Sequence, residues 1–207
     1  MNGTAAAPAL GRDPRKLVAY AIVAILLGIL AAQYLMALAP AAQEDRTSAC
    51  RALQPSPFNP RLGKLPVYAP EATALDYTKQ QVQLSAYLGR VTFVNFWQTS
   101  CAPCVEEMPS MDWLQKRFPD LAILAYASET SFDPVNKFFP NGTSMTVLLD
   151  PPSEDSAVGK IARAWGTEKW PETYLVDKRG VVRYYYVNSR QWSSDKAVAC
   201  IESLLAE

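Results

Sequence analysis

The stretch FVNFWQTSCAPCVEEMP, residues 93–109, decides the fold. Its first part belongs to the run VTFVNFW (91–97), rich in β-branched and aromatic residues, which predicts a buried strand. Its second part opens a segment, 102–117, in which Met108, Met111 and Leu114 recur at helical spacing. Cys101 therefore stands where a strand hands over to a helix. A helix N-terminus carries partial positive charge and unpaired N–H groups, and both favour thiolate over thiol. Pro103 falls in the first helical turn, where its missing N–H costs nothing. Cys104 lies one turn inside the helix, within disulfide reach of Cys101 and spaced to resolve a mixed disulfide formed there. An inert disulfide is the competing reading, but a loop this short stabilises a fold little.

Outward from this corner, strands and helices alternate. QVQL (81–84), LAILAYA (121–127) and MTVLL (145–149) read as strands. DPVNKFF reads as a short helix with Asp133 as N-cap and Pro134 in the first turn, and DSAVGKIARAWG as a helix closed by Gly166. TYLVD (173–177) and VVRYYYV (181–187) read as strands joined by a Lys178-Arg179-Gly180 turn, and residues 194–206 as a terminal helix burying Ala197, Ile201, Leu204 and Leu205. This order predicts an α/β fold with parallel strands and an antiparallel edge.

Upstream, residues 17–39 (LVAYAIVAILLGILAAQYLMALA) carry no charge. As a helix they would be roughly 34 Å long, enough to cross a bilayer core of about 30 Å. Arg12, Arg15 and Lys16 precede them, and Glu44 and Asp45 follow. The positive-inside rule then places residues 1–16 in the cytoplasm, as a tail, and the rest outside it. The expected order is tail 1–16, transmembrane anchor 17–39, proline-rich linker 40–61 and folded domain 62–207. A cleaved signal peptide competes, with Ala39-Pro40-Ala41 as its cutting site, although the apolar run exceeds the usual signal length. Either reading exports the domain to a compartment where disulfides persist.

The chain has four cysteines and no histidine, which removes the commonest nitrogen ligand for zinc or copper. A four-thiolate zinc site would need two close pairs, and only one exists, so no metal is expected. Cys50 and Cys200 are read most simply as a structural disulfide; an intermolecular bridge through Cys50 and a buried free Cys200 are the alternatives. With 20 basic and 20 acidic residues, no net field points to a nucleic-acid partner.

The motifs VNFWQTSCAPCVEEMPSMDWLQ (94–115) and WPETYLVDKRGVVRY (170–184), with the apolar stretch before them, resemble the thioredoxin superfamily. The resemblance is specifically to membrane-anchored extracytoplasmic thiol–disulfide oxidoreductases of the TlpA/ResA/CcmG type, and covers roughly residues 62–207. It implies a thioredoxin-like fold, a central mixed sheet flanked by helices, with Pro171 cis and stacked against the Cys101–Cys104 disulfide. Thioredoxins place a buried Asp two residues before the Trp of the motif; this chain has Asn95, which cannot titrate. In the ResA-like group a Glu three residues past the second Cys serves instead, here Glu107. Its i+3 spacing from Cys104 puts both on one helix face, whereas Glu106 points away. A partly buried carboxyl there could exchange a proton with the thiols; a solvated helix Glu is the bland alternative.

The resemblance thus implies Cys101, Cys104, Glu107 and Pro171 as catalytic, and Trp97, Ala102, Pro103, Trp170 and Glu172 as substrate-contacting. It implies no cofactor beyond the redox-active pair, exported protein disulfides as substrates, and a transmembrane thiol carrier as electron source. Ser100 and Trp170 depart from the family pattern, which has an aromatic before the first Cys and a small or β-branched residue before the proline. A copper-assembly protein, a non-catalytic binding module and a thiol peroxidase are competing functions. The first needs a histidine. The last needs a Thr/Arg-supported cysteine that the sequence does not display.

Overall fold

The computed structural model describes residues 13–207, without the side chains of residues 37–47. The expected cytoplasmic tail up to Arg12 and the side chains of Glu44 and Asp45 lie outside the described residues.

The chain divides after Asp45 into two units. The first is most of helix α1 (Pro14–Arg51), whose segment Pro14–Met36, 23 residues, is long and apolar enough to cross a membrane. Its side chains up to Met36 are exposed all round, so it is not the core helix of a soluble fold.

The second unit, Arg46–Glu207, is the α/β domain. Its elements are β1 (Val67–Tyr68), β2 (Thr73–Asp76), β3 (Gln81–Gln83), a 3-10 turn (Leu84–Tyr87), β4 (Thr92–Trp97), α2 (Ala102–Arg117), β5 (Ala122–Ala127), α3 (Asp133–Phe138), β6 (Thr146–Leu149), α4 (Lys160–Ala164), β7 (Glu172–Val176), β8 (Val181–Val187) and α5 (Asp195–Leu205). The sheet order is β1-β8-β7-β4-β5-β6-β2-β3. β4, β5 and β6 run parallel; β7 pairs antiparallel with β4 and β8 with β7. β4 is buried along its whole length and sits mid-sheet, as its mostly apolar and aromatic sequence leads one to expect. Its alternation divides the core: Phe93 and Trp97 join Met108, Met111, Leu114, Trp192 and Ile201, while Val94 and Phe96 join Tyr126, Trp165, Tyr174 and Tyr185 on the opposite face.

Three expectations change. The stretch 40–61 is not an irregular linker throughout. α1 continues to Arg51, Cys50 is fully buried, and the buried Asn59 amide donates to the Tyr174 hydroxyl at 2.9 Å. A disulfide and one buried amide fix a segment whose four prolines suggested otherwise. The helix expected over DSAVGKIARAWG is only α4. The buried Asp150 carboxylate accepts from the Ile161 and Ala162 N–H groups at 2.9 and 2.7 Å, setting the start at Lys160, and Gly159 lies against Asp150, where a side chain would collide. Gly166 closes the segment with φ of +79°. Asp133 is the first residue of α3 rather than its cap, a place taken by Phe132.

Candidate active site

β4 ends at Trp97, and a turn closed by the Cys101 N–H on the Gln98 carbonyl (3.1 Å) leads into α2. Cys101 is the N-cap of α2. Its backbone is extended, and its Sγ accepts the Cys104 N–H at 3.3 Å. Sulfur thus takes the place of the usual oxygen acceptor on an unpaired helix N–H. The two cysteines are disulfide-bonded with Cα atoms 5.3 Å apart. Cys101 is half-buried and Cys104 fully buried, so a partner can reach the first sulfur and not the second. Ala102 and Pro103, beside Cys101, are exposed.

The register of β7 on β4 sets Glu172 opposite Phe96 and Thr173 opposite Asn95. Pro171, one residue earlier, is thereby carried to the end of β4 that leads into Cys101, although the two are far apart in sequence. The Trp170–Pro171 bond is cis, and the Pro171 carbonyl accepts the Asn188 N–H at 3.0 Å. Trp170 is half-buried and packs, with Cys101, against the core layer that holds Cys104.

Glu107 is 1% exposed. Its Oε1 accepts from Asn95 Nδ2 at 3.0 Å; its Oε2 accepts from the Arg190 main-chain N–H at 3.0 Å and the Trp192 indole N–H at 3.1 Å. Burial pushes its pKa from 4.5 up to about 7, and these three N–H donors restrain the rise. A crevice of about 290 Å³, lined by Glu106, Glu107, Ser189, Arg190 and Gln191, opens over it. Glu107 is therefore not the solvated helix glutamate of the bland reading, whereas Glu106, the neighbour expected to point away, is exposed.

Two expected contact residues are placed elsewhere. Trp97 is fully buried under Phe138 and Phe139, with ring centroids 5.5 and 5.9 Å away, and presents no surface to a substrate. Glu172 is 2% exposed and, paired with Phe96, points to the opposite face of the sheet from Asn95 and Glu107. Burial raises its pKa too. Alternation forces this: the residue after Pro171 faces away from the side that Thr173 shares with Asn95.

Cys50 and Cys200 are joined, Cα atoms 4.4 Å apart and both fully buried. The Tyr186 hydroxyl donates to the Cys50 carbonyl at 3.0 Å. Sequence reasoning missed Thr173, Arg190, Ser110 and Trp192. Thr173 accepts from Asn95 Nδ2 at 3.0 Å, and Ser110 receives the Trp192 main-chain N–H on its hydroxyl at 3.0 Å. Ser110 lies one turn along α2 from Glu107, whereas only the β7 register brings Thr173 there and only the loop before α5 brings Arg190 and Trp192. Among the described residues no cluster of His, Cys, Asp or Glu could hold a metal ion.

Comparison with known proteins agrees with this geometry. The profile of the AhpC/TSA family matches residues 67–185, more than half of the chain. The thioredoxin-like protein YneN of Bacillus subtilis is 28% identical over 126 residues, 58% of this chain and 70% of that protein. The thiol-disulfide oxidoreductase ResA of Bacillus anthracis is 31% identical over 117 residues, 55% of this chain and 64% of ResA. The match thus falls short of two-thirds of ResA's length. A thiol:disulfide interchange protein of the thioredoxin family from Chlorobium tepidum superposes with a TM-score of 0.57 at 21% identity, covering 68% of this chain and 97% of that one. The thioredoxin domain of a thiol-disulfide oxidoreductase from Bacteroides vulgatus gives 0.56 at 20% identity, covering 67% and 96%. The fold is thioredoxin-like, and the chain belongs to the AhpC/TSA family.

Proposed function

We infer that the chain is a thiol–disulfide oxidoreductase, anchored in the cytoplasmic membrane by α1 with its N-terminus in the cytoplasm, that reduces disulfides in exported proteins. The observation that carries this reading is the asymmetry of the pair: a reachable Cys101 at the N-terminus of α2, a buried Cys104, and Glu107 one turn further along. The similarity to the thiol-disulfide oxidoreductase ResA of Bacillus anthracis supports it.

In the reduced enzyme the Cys101 thiolate attacks a substrate disulfide. A Cys101–substrate disulfide forms and one substrate sulfur leaves as a thiolate, which water protonates. The Glu107 carboxylate takes the Cys104 proton, Cys104 attacks Cys101 Sγ, and the second substrate thiol leaves as the bond seen here closes. Two electrons pass from the dithiol to the substrate disulfide, and a transmembrane thiol carrier restores the dithiol. Ala102, Pro103 and Trp170 flank the substrate segment, and Pro171 holds it extended as strand-adding sites do. Cytochrome c maturation and assembly of respiratory-oxidase copper sites supply substrates of this kind.

The test is the reduction potential of Cys101–Cys104 in the full chain in detergent, by equilibration with glutathione or dithiothreitol and read by tryptophan fluorescence. A value of about −270 to −200 mV marks a reductant; a value near −120 mV marks a domain that inserts disulfides and reverses the flow.

The family match favours one second reading, a thiol peroxidase. Against it, Thr99 is committed to Glu129 at 2.6 Å, and the Arg190 guanidinium to the carbonyls of Leu53, Gln54, Val187 and Asn188. Rapid oxidation of the reduced chain by hydrogen peroxide, outpacing reaction with a peptide disulfide, would establish the peroxidase instead.

A further inference from the structure

Oε2 of Glu107 is held from outside its own helix. Both donors come from the loop between β8 and α5: the Arg190 main-chain N–H and the Trp192 indole N–H. The same loop is fastened to α2 by the Trp192 main-chain N–H on the Ser110 hydroxyl, which donates in turn to the Glu107 carbonyl at 2.7 Å. The indole cannot swing away freely. It is fully buried, its ring 4.9 Å from Phe93 and 5.5 Å from Tyr186, both edge-on. An indole N–H only donates. It favours a carboxylate oxygen over a carboxylic acid, because a hydrogen bond to an ionised partner is the stronger.

We propose that Trp192 is a positioning residue of the thiol-exchange site, its indole N–H holding Glu107 Oε2 and so setting the pH at which Glu107 can take the Cys104 proton. This rests on the reading of Glu107 as the proton acceptor. The other groups that face Glu107 are Cys104 of its own helix, Asn95 of β4 with Thr173 of β7 behind it, and Arg190 of the loop. Arg190 carries the charge that acts on the carboxylate, but its guanidinium is spent on main-chain carbonyls. Trp192 is the loop side chain whose donor can be deleted while a ring is kept in place.

Two measurements on the full chain in detergent test it. In the disulfide form, where no thiol titrates at this pair, the ¹⁵N indole resonance of Trp192 should move with the midpoint of the ¹³C carboxyl resonance of Glu107, and should stay flat in Glu107→Gln. In the reduced form, the pH profile for reduction of oxidised glutathione should have its Glu107 inflection moved up by about one pH unit in Trp192→Phe. Below that inflection the exchange would slow about tenfold. Trp192→Phe in the Glu107→Gln background should change the profile no further.

A Glu107 carboxyl that titrates while the indole stays flat and Trp192→Phe leaves the inflection in place overturns the proposal and leaves the role of Glu107 standing. A Glu107→Gln profile identical to wild type removes the role of Glu107, and the proposal with it. The indole titration needs only the wild-type protein and Glu107→Gln, so it decides even where Trp192→Phe folds poorly.

Discussion

Glu107 is an acid that the fold keeps from ionising at the pH where a free glutamate would. Unfolded, it ionises near 4.5; folded, near 7. Between those values the folded state holds a proton that the unfolded chain has released. Stability must therefore fall as pH rises through the window, by about 3 kcal/mol in total, and level off above it. Glu107→Gln should abolish that fall, so the difference between the two proteins in denaturant unfolding, flat above pH 7, should shrink as pH drops to 4.5. Equal pH dependence in both would mean that the carboxyl is not held protonated. At the neighbouring pair, Cys104→Ser should accumulate a stable mixed disulfide between Cys101 and a substrate peptide, seen as added mass that dithiothreitol removes; Cys101→Ser should trap none. Glu107 was singled out by the family resemblance, with which its i+3 spacing from Cys104 agreed, and its burial is what the structure adds. Trp192 was not, because it lies 85 residues from Glu107 and no sequence pattern ties the loop before α5 to α2.

Elements were legible in proportion to their length and their punctuation. β4 and α2 meet at a corner written into a seven-residue run of mostly β-branched and aromatic residues and a Cys-x-x-Cys, and both are found where the sequence placed them. β1 and β2, two and four residues long, are too short to display an alternating pattern and were not foreseen. α4 was overextended because its start is set by Asp150, on the other side of a loop from the helix it caps. Asp150→Ala should leave two N–H groups of α4 without their acceptor and cost about 1–3 kcal/mol in denaturant unfolding. An unchanged midpoint would show that water replaces the carboxylate there.

For the molecule as a whole, the Cys50–Cys200 bond closes a loop across nearly the entire domain, with a sequence separation of 150. In the chain-entropy treatment a loop of this length contributes about 5 kcal/mol by restricting the unfolded chain. The Cys50→Ser/Cys200→Ser protein should lose stability of that order while its Cys101–Cys104 pair still exchanges with glutathione; loss of exchange at temperatures where it remains folded would give the second bond a role beyond stability. The proposed orientation is tested on intact cells. A membrane-impermeant maleimide should label reduced Cys101, and protection of that thiol until the cells are lysed would place the domain on the other side.

The crevice over Glu107 is lined by none of Cys101, Ala102, Pro103 or Trp170. The site therefore has two doors. In the proposed mechanism a protein substrate docked on Cys101 would stop the first, through which the electron pair would leave. The second would stay open, so a proton that Glu107 took from Cys104 could depart while the substrate was still attached. Closing the reaction need not wait for the substrate to go.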